Sequence, residues 1–233
     1  MKHFIAFFGF GLFLSAMLLS CASLSGAGKA SETVSPLPAE HTAGNVQPPE
    51  KAPESPAGTA PPERPPRIPE LIMGEGRIPS EKLASFLLKE NRGNFGSAYI
   101  HELARIYTEE AAVEGVNADA AFAQMCLETG FLGFGGLVTP DMNNFCGLGS
   151  IGPGKPGETF PDARTGVRAH IQHLKGYATT EPLKGVQVDP RYRYVKLGSS
   201  PRIEGLAGTW ARDLSYAEKI RNILERLYRH SFS

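Results

Sequence analysis

Several stretches of the chain repeat apolar residues at the three-to-four spacing of a helix with one buried face. Leu83, Phe86 and Leu87 follow Ser80, which is placed to cap a helix. Ile100, Leu103, Tyr107 and Ala111 run along Ser97 to Glu114, and Val167, Ile171, Leu174 and Ala178 along Ala163 to Ala178. Ile220, Ile223, Leu224 and Leu227 follow Ser215, which stands at capping-box spacing from Glu218. This periodicity predicts a helix over each stretch. Gly115 stops the second, and Asn117 caps a further helix from Ala118 to Thr129. Ser200-Pro201 opens a short helix containing Ile203 and Leu206. Between them, residues 130 to 160 are rich in Gly, Pro, Asn and Ser, a composition that gives a loop or short hairpin. The expected domain is mainly helical (α+β), with a polar, irregular lobe inserted after Glu128.

The first seventy residues follow other rules. Met1-Lys2-His3 precedes an apolar run from Phe4 to Leu19, shorter than the ~20 residues of a spanning helix, which reads as an export signal. The run ends in Leu18-Leu19-Ser20-Cys21, which resembles a lipoprotein lipobox with Cys21 as the lipidated residue. From Ser23 to Pro69 the chain holds 11 of its 19 prolines and almost no branched or aromatic apolar residues. Such a stretch cannot build a core and is expected to be a disordered tether. It would span ~40 Å as a coil and up to ~150 Å fully extended. The expected organisation is a signal peptide over 1–20, a tether over 21–70 and a folded domain over 71–233. That implies an exported cell-envelope lipoprotein in the periplasmic space, held by its lipid anchor, with the outer membrane as the expected host.

Charge sharpens the partner class. The net charge is zero, but residues 72–163 carry 12 acidic and 6 basic side chains, and residues 164–233 carry 6 and 13. The asymmetry suits an anionic polymer, and export argues against nucleic acid. Cys126 and Cys146 remain beyond the anchor, as a disulfide or as two buried thiols. There is no close-spaced Cys or His set for a metal, and His170 and His173 have the wrong spacing for the i, i+4 zinc pair.

Glu128 is the candidate for chemistry. It is a lone carboxylate at the end of an apolar helix, in Gln124-Met125-Cys126-Leu127-Glu128-Thr129-Gly130-Phe131. The negative end of the helix and the apolar flanks Leu127 and Phe131 both favour its neutral form, which suits a general acid. Three further segments accompany it. Met142-Asn143-Asn144-Phe145-Cys146-Gly147-Leu148-Gly149 offers two amides. Trp210-Ala211-Arg212-Asp213-Leu214-Ser215-Tyr216 carries two aromatics. Arg191-Tyr192-Arg193-Tyr194 alternates basic and aromatic residues, as a glycan-stacking surface or a half-exposed strand would.

The first three of these segments resemble the bacterial peptidoglycan endo-β-N-acetylglucosaminidase family, which includes autolysin glucosaminidases and the flagellar muramoyl hydrolase. Its pattern is a helix-terminal Glu, an Asn-Asn-x-Phe-Gly-like turn and Trp-Ala-x-Asp-x-x-Tyr-x-x-Lys-Ile/Leu. The resemblance implies a lysozyme-like fold, a helical lobe and a small irregular or β lobe with the cleft between them. It makes Glu128 the catalytic acid and Tyr216 an active-site tyrosine, and places Asn143, Asn144 and Phe145 along the substrate cleft. Trp210 is a core or cleft-wall residue that would also meet substrate. The chain departs from the pattern after the turn, where glycine replaces a basic residue. The second carboxylate is open: Glu158 is favoured over Asp162, which also suits a helix N-cap, and a substrate-assisted route needs neither. The implied activity is hydrolysis of the β-1,4 bond between N-acetylglucosamine and N-acetylmuramic acid, with no metal or organic cofactor. A muramidase or lytic transglycosylase on the same scaffold, or a non-catalytic wall-binding lipoprotein, are the alternatives.

Overall fold

A computed structural model describes residues 66–93, 95–152 and 154–233. The signal peptide, Cys21 and the tether as far as residue 65 lie outside these residues. The folded part begins earlier than position 71: Ile68 packs on the core, and the Glu70 carbonyl accepts the Ile203 N–H at 3.0 Å.

Among the described residues five α-helices are formed: α1 Ser80–Glu90, α2 Ser97–Glu114, α3 Ala118–Glu128, α4 Ala163–Ala178 and α5 Tyr216–Ser231. Helix α3 is the axis of the domain. Every residue from Ala118 to Cys126 is buried, and this helix, apolar on all faces apart from the hydrogen-bonded Asp119 and Gln124, sits inside. Its alanines at 118, 120, 121 and 123 let α2 and α5 approach closely. The apolar stripes of α1, α2, α4 and α5 then close one core around it. Asn117 caps α3 by accepting the Ala120 N–H, and Asp162 caps α4 by accepting the Thr165 N–H at 2.8 Å. Gly115 ends α2 in the left-handed conformation.

Two expected caps are not made. Helix α1 opens at Ser80 itself, after Pro79, and Ser215 makes no side-chain cap on α5. Asp213 orders the approach to α5, its Oδ1 accepting the Ser215 N–H at 2.9 Å.

Part of the charge asymmetry is paired inside the domain. Glu110 on α2 takes both Arg164 and Arg168 of α4, and Glu114 takes Lys175 at 2.9 Å in a buried pair. These pairs clamp α2 to α4.

The lobe after α3 is irregular: among the described residues it holds one 3-10 turn, Pro140–Met142, and one isolated bridge between Gly152 and Lys155. It is seated on α4 through Gly166, where a β-carbon would stand 1.8 Å from the Asn143 carbonyl oxygen. Residues 192–194 form a 3-10 turn rather than a strand.

Candidate active site

Helix α3 delivers Glu128 as its last residue, into a cleft between the helices and the irregular lobe. The cleft has two sections that share Cys146, Gly147, Ser150 and Trp210. One section holds Glu128, Thr129, Phe134, Leu137 and Asn144. The other, beyond Trp210, holds His173, Tyr177, Arg191 and Tyr194.

The two oxygens of Glu128 differ. Oε1 accepts the Tyr216 hydroxyl and also the Trp210 indole N–H, the latter at 3.1 Å. Oε2 faces Gly147, 3.8 Å from where a β-carbon would stand, so glycine keeps that side open. With Oε1 occupied by two donors, a proton on Glu128 belongs on Oε2 and points to the cleft. Glu128 is exposed in the sense that the cleft above it is open, yet protein crowds most of the carboxylate's surroundings. That crowding decides its ionisation. Burial raises its pKa above the usual carboxylate range, against the opposing pull of the Tyr216 and Trp210 hydrogen bonds.

Tyr216 is brought to Glu128 as anticipated; it sits buried at the first turn of α5. Trp210 is a wall between the two sections, its ring packed against His170, His173 and Tyr177. Of the Asn-Asn-Phe turn, Asn144 lines the cleft, whereas Asn143 and Phe145 line neither section. Asn144 is buried: its Nδ2 donates to the carbonyls of Leu148 and Glu158, both at 2.9 Å, and its Oδ1 accepts the Leu148 N–H at 3.0 Å. Asn143 donates to the Phe160 carbonyl, and Phe145 is fully buried in the core. The two asparagines hold the wall that carries Gly147, both Nδ2 groups and the Asn144 Oδ1 being spent on its backbone. A turn inside a protein must satisfy its own amides before it can offer any to a ligand.

Glu158 lines neither section of the cleft. Its carboxylate packs against Gly149, 2.9 Å from a β-carbon built on that glycine. Asp162 is the α4 cap. Cys126 and Cys146 are both free thiols. Burial holds both thiols protonated.

Two contributors escaped the sequence reading. His173 lines the cleft, its Nδ1–H donating to the buried Asp189 at 2.6 Å. Gln124 lies one turn before Glu128 and donates to the Tyr216 hydroxyl at 2.7 Å. A single amide inside the apolar run Ala-Phe-Ala-Gln-Met-Cys was the available signal, since a buried amide demands partners. Among the described residues there is no cluster of three metal-binding side chains.

This cleft, with a buried-side carboxylate offering one free oxygen, has the layout of a hydrolase acting on a polymer. Comparison gives the family. The profile of the glucosaminidase family, described as mannosyl-glycoprotein endo-beta-N-acetylglucosaminidase, matches residues 104–229, more than half the chain. The chain belongs to this family of glycoside hydrolases, and the match spans Gln124, Glu128, Trp210 and Tyr216. An uncharacterised protein of Borreliella burgdorferi is 40% identical over 164 residues, covering 70% of this chain and 79% of its own. Among solved structures, that of S. aureus autolysin E in complex with a muropeptide aligns over 70% of this chain and 74% of its own, at 13% identity and a TM-score of 0.43.

Proposed function

We propose that the protein is a peptidoglycan hydrolase in which Glu128 protonates the glycosidic oxygen of the β-1,4 bond between N-acetylglucosamine and N-acetylmuramic acid. The observation that carries this is the asymmetry of its carboxylate, with Oε1 held by Tyr216 and Trp210 and Oε2 open to the cleft. As the glycosidic carbon–oxygen bond breaks, the leaving oxygen takes the Oε2 proton. The carboxylate that remains is stabilised by the same two donors, whose hydrogen bonds strengthen as charge develops.

Among the described residues lining the cleft, Glu128 is the one carboxylate. This favours attack on the anomeric carbon by the substrate's own acetamido oxygen over a base supplied by Glu158. Glu128 as carboxylate then activates the water that opens the cyclic intermediate. Product stereochemistry distinguishes the two: retention follows from the acetamido route, inversion from a direct water attack guided by Glu158.

Arg191 supports peptidoglycan over a neutral glycan. It lines the section beyond Trp210 and, unlike the arginines of α4, is engaged with the Tyr194 ring rather than with a carboxylate. A muramic acid lactyl group or a peptide stem would supply the missing anion. The N-terminal lipid anchor and Pro-rich tether would carry the domain from a membrane to the wall; their support lies in the sequence of the first seventy residues. Mass spectrometry of digested, borohydride-reduced peptidoglycan tests the bond. Reduced glucosamine ends are expected. Reduced muramic acid ends would make the enzyme a muramidase, and anhydromuramic ends a lytic transglycosylase.

A further inference from the structure

Behind Tyr216 the hydrogen bonds continue away from the cleft. Gln124 Nε2 donates to the Tyr216 oxygen at 2.7 Å, and the other end of that amide, Oε1, lies 3.0 Å from His170 Nε2. An amide oxygen can only accept, so His170 carries its hydrogen on Nε2. His170 is fully buried on α4, and burial lowers its pKa to about 3, which keeps the ring neutral. Its Nδ1 is therefore an acceptor, and the Tyr107 hydroxyl of α2, 2.9 Å away, must donate to it. Every proton in the series then points the same way: Tyr107 to His170, His170 to Gln124, Gln124 to Tyr216, Tyr216 to Glu128. Tyr107, His170, Gln124 and Tyr216 are all buried, and they join α2, α4, α3 and α5.

We propose that Tyr107, His170 and Gln124 are positioning residues, a one-way hydrogen-bond chain that fixes the Tyr216 hydroxyl as a donor to Glu128. The proposal rests on Glu128 being the general acid. The polarity is the working part. A Tyr216 hydroxyl whose oxygen already accepts from Gln124 has its hydrogen left for Oε1. Without His170, the Gln124 amide loses the donor that sets its orientation. Turned over, it presents an oxygen that draws the Tyr216 proton away from the acid. The other titratable groups facing the chain are His173, with its partner Asp189, and Cys126, Cys146 and Tyr99. Burial raises Cys126, Cys146 and Tyr99 above their usual ranges, so all three stay protonated through the acid and neutral range.

The test compares Gln124→Met, His170→Phe and His170→Gln with wild type and Glu128→Gln, on peptidoglycan, for kcat, KM and the pH profile, with Tm alongside. Gln124→Met and His170→Phe should lower kcat between about ten- and a hundredfold, with KM held within about twofold, as for a misplaced catalytic group. The alkaline limb of kcat should move to higher pH, because the Tyr216 hydrogen bond that lowers the Glu128 pKa is weakened in Gln124→Met and diverted in His170→Phe. His170→Gln, which keeps an N–H for Gln124, should recover most of the loss. An unchanged kcat and limb in the first two variants would overturn the proposal while leaving Glu128 as the acid. So would a lowered Tm and kcat with an unmoved limb and no recovery in His170→Gln, which is the result of a purely structural network. Full activity in Glu128→Gln would overturn the assignment of the acid, and the chain's role with it.

Discussion

Replacing Tyr216 with phenylalanine separates what its hydroxyl does for the fold from what it does for the reaction. The ring remains, so its core packing is kept. What is lost is one oxygen that accepts from Gln124 and donates to Glu128. On the folding side, a buried Gln124 N–H is left without its partner, which costs about 2 kcal/mol and lowers Tm by about 4–8 °C for a domain of this size. On the catalytic side, the Glu128 carboxylate formed in the transition state loses one of two donors. A hydrogen bond to a charged group contributes about 1.5–3 kcal/mol, so kcat should fall by about ten- to a hundredfold. The sign of the pH effect follows from the protonation state required. A general acid works below its pKa, and the hydroxyl lowers that pKa against the raising effect of burial. Its removal therefore shifts the alkaline limb of kcat upward. Turnover of purified peptidoglycan across a pH series, with thermal unfolding of the same samples, checks all three numbers. A Tyr216→Phe protein with lowered Tm but wild-type kcat and an unmoved limb would show that the hydroxyl merely staples α5 to the core.

Other consequences are independent of the acid. Lys175→Met should destabilise the domain by about 3–5 kcal/mol in denaturant unfolding, because it leaves Glu114 buried without its cation. Burial pushes the Glu114 pKa up, but the Lys184 N–H, Lys175 and the Gly185 N–H outweigh it and hold the pKa below the usual range. The stability it contributes is therefore present above the ordinary glutamate range and lost as pH falls through the lowered value, so Glu114→Gln should flatten that acid-side loss. Gly166→Ala should lower both Tm and activity, despite alanine favouring a helix by about 1 kcal/mol, because the new β-carbon collides with the Asn143 carbonyl and displaces the wall carrying Gly147. Arg191→Ala should raise KM on peptidoglycan about two- to fivefold, as for a partly exposed ion pair, and leave neutral N-acetylglucosamine oligomers unaffected. An equal effect on both substrates would remove the carboxylate role.

The helices were legible because their signal is local. Apolar spacing alone placed α2 and α4 at their observed ends, and Asn117, Gly115 and Asp162 marked boundaries through side chains acting within three or four residues. Glu128 was legible for a related reason, as a carboxylate where helix polarity and apolar neighbours both disfavour charge. What could not be read depends on chain segments far apart in sequence. His170 offered no sign beyond a spacing wrong for a zinc pair, because its partners Tyr107 and Gln124 come from α2 and α3. Asn143 and Asn144 looked free to bind sugar because nothing local shows that Phe160, Leu148 and Glu158 claim their amides. The Ser215 and Glu218 spacing promised a cap, but Asp213, two residues earlier, reaches the Ser215 N–H.

The most direct test of the account is the turnover of purified peptidoglycan by Glu128→Gln. The amide is isosteric with the acid, and its oxygen still accepts from Tyr216 and Trp210, so the protein should fold with near wild-type Tm. Lacking a proton acidic enough to release to the leaving oxygen, it should lose activity by at least about a hundredfold at every pH. A folded Glu128→Gln protein that digests peptidoglycan at the wild-type rate would contradict the account at its centre.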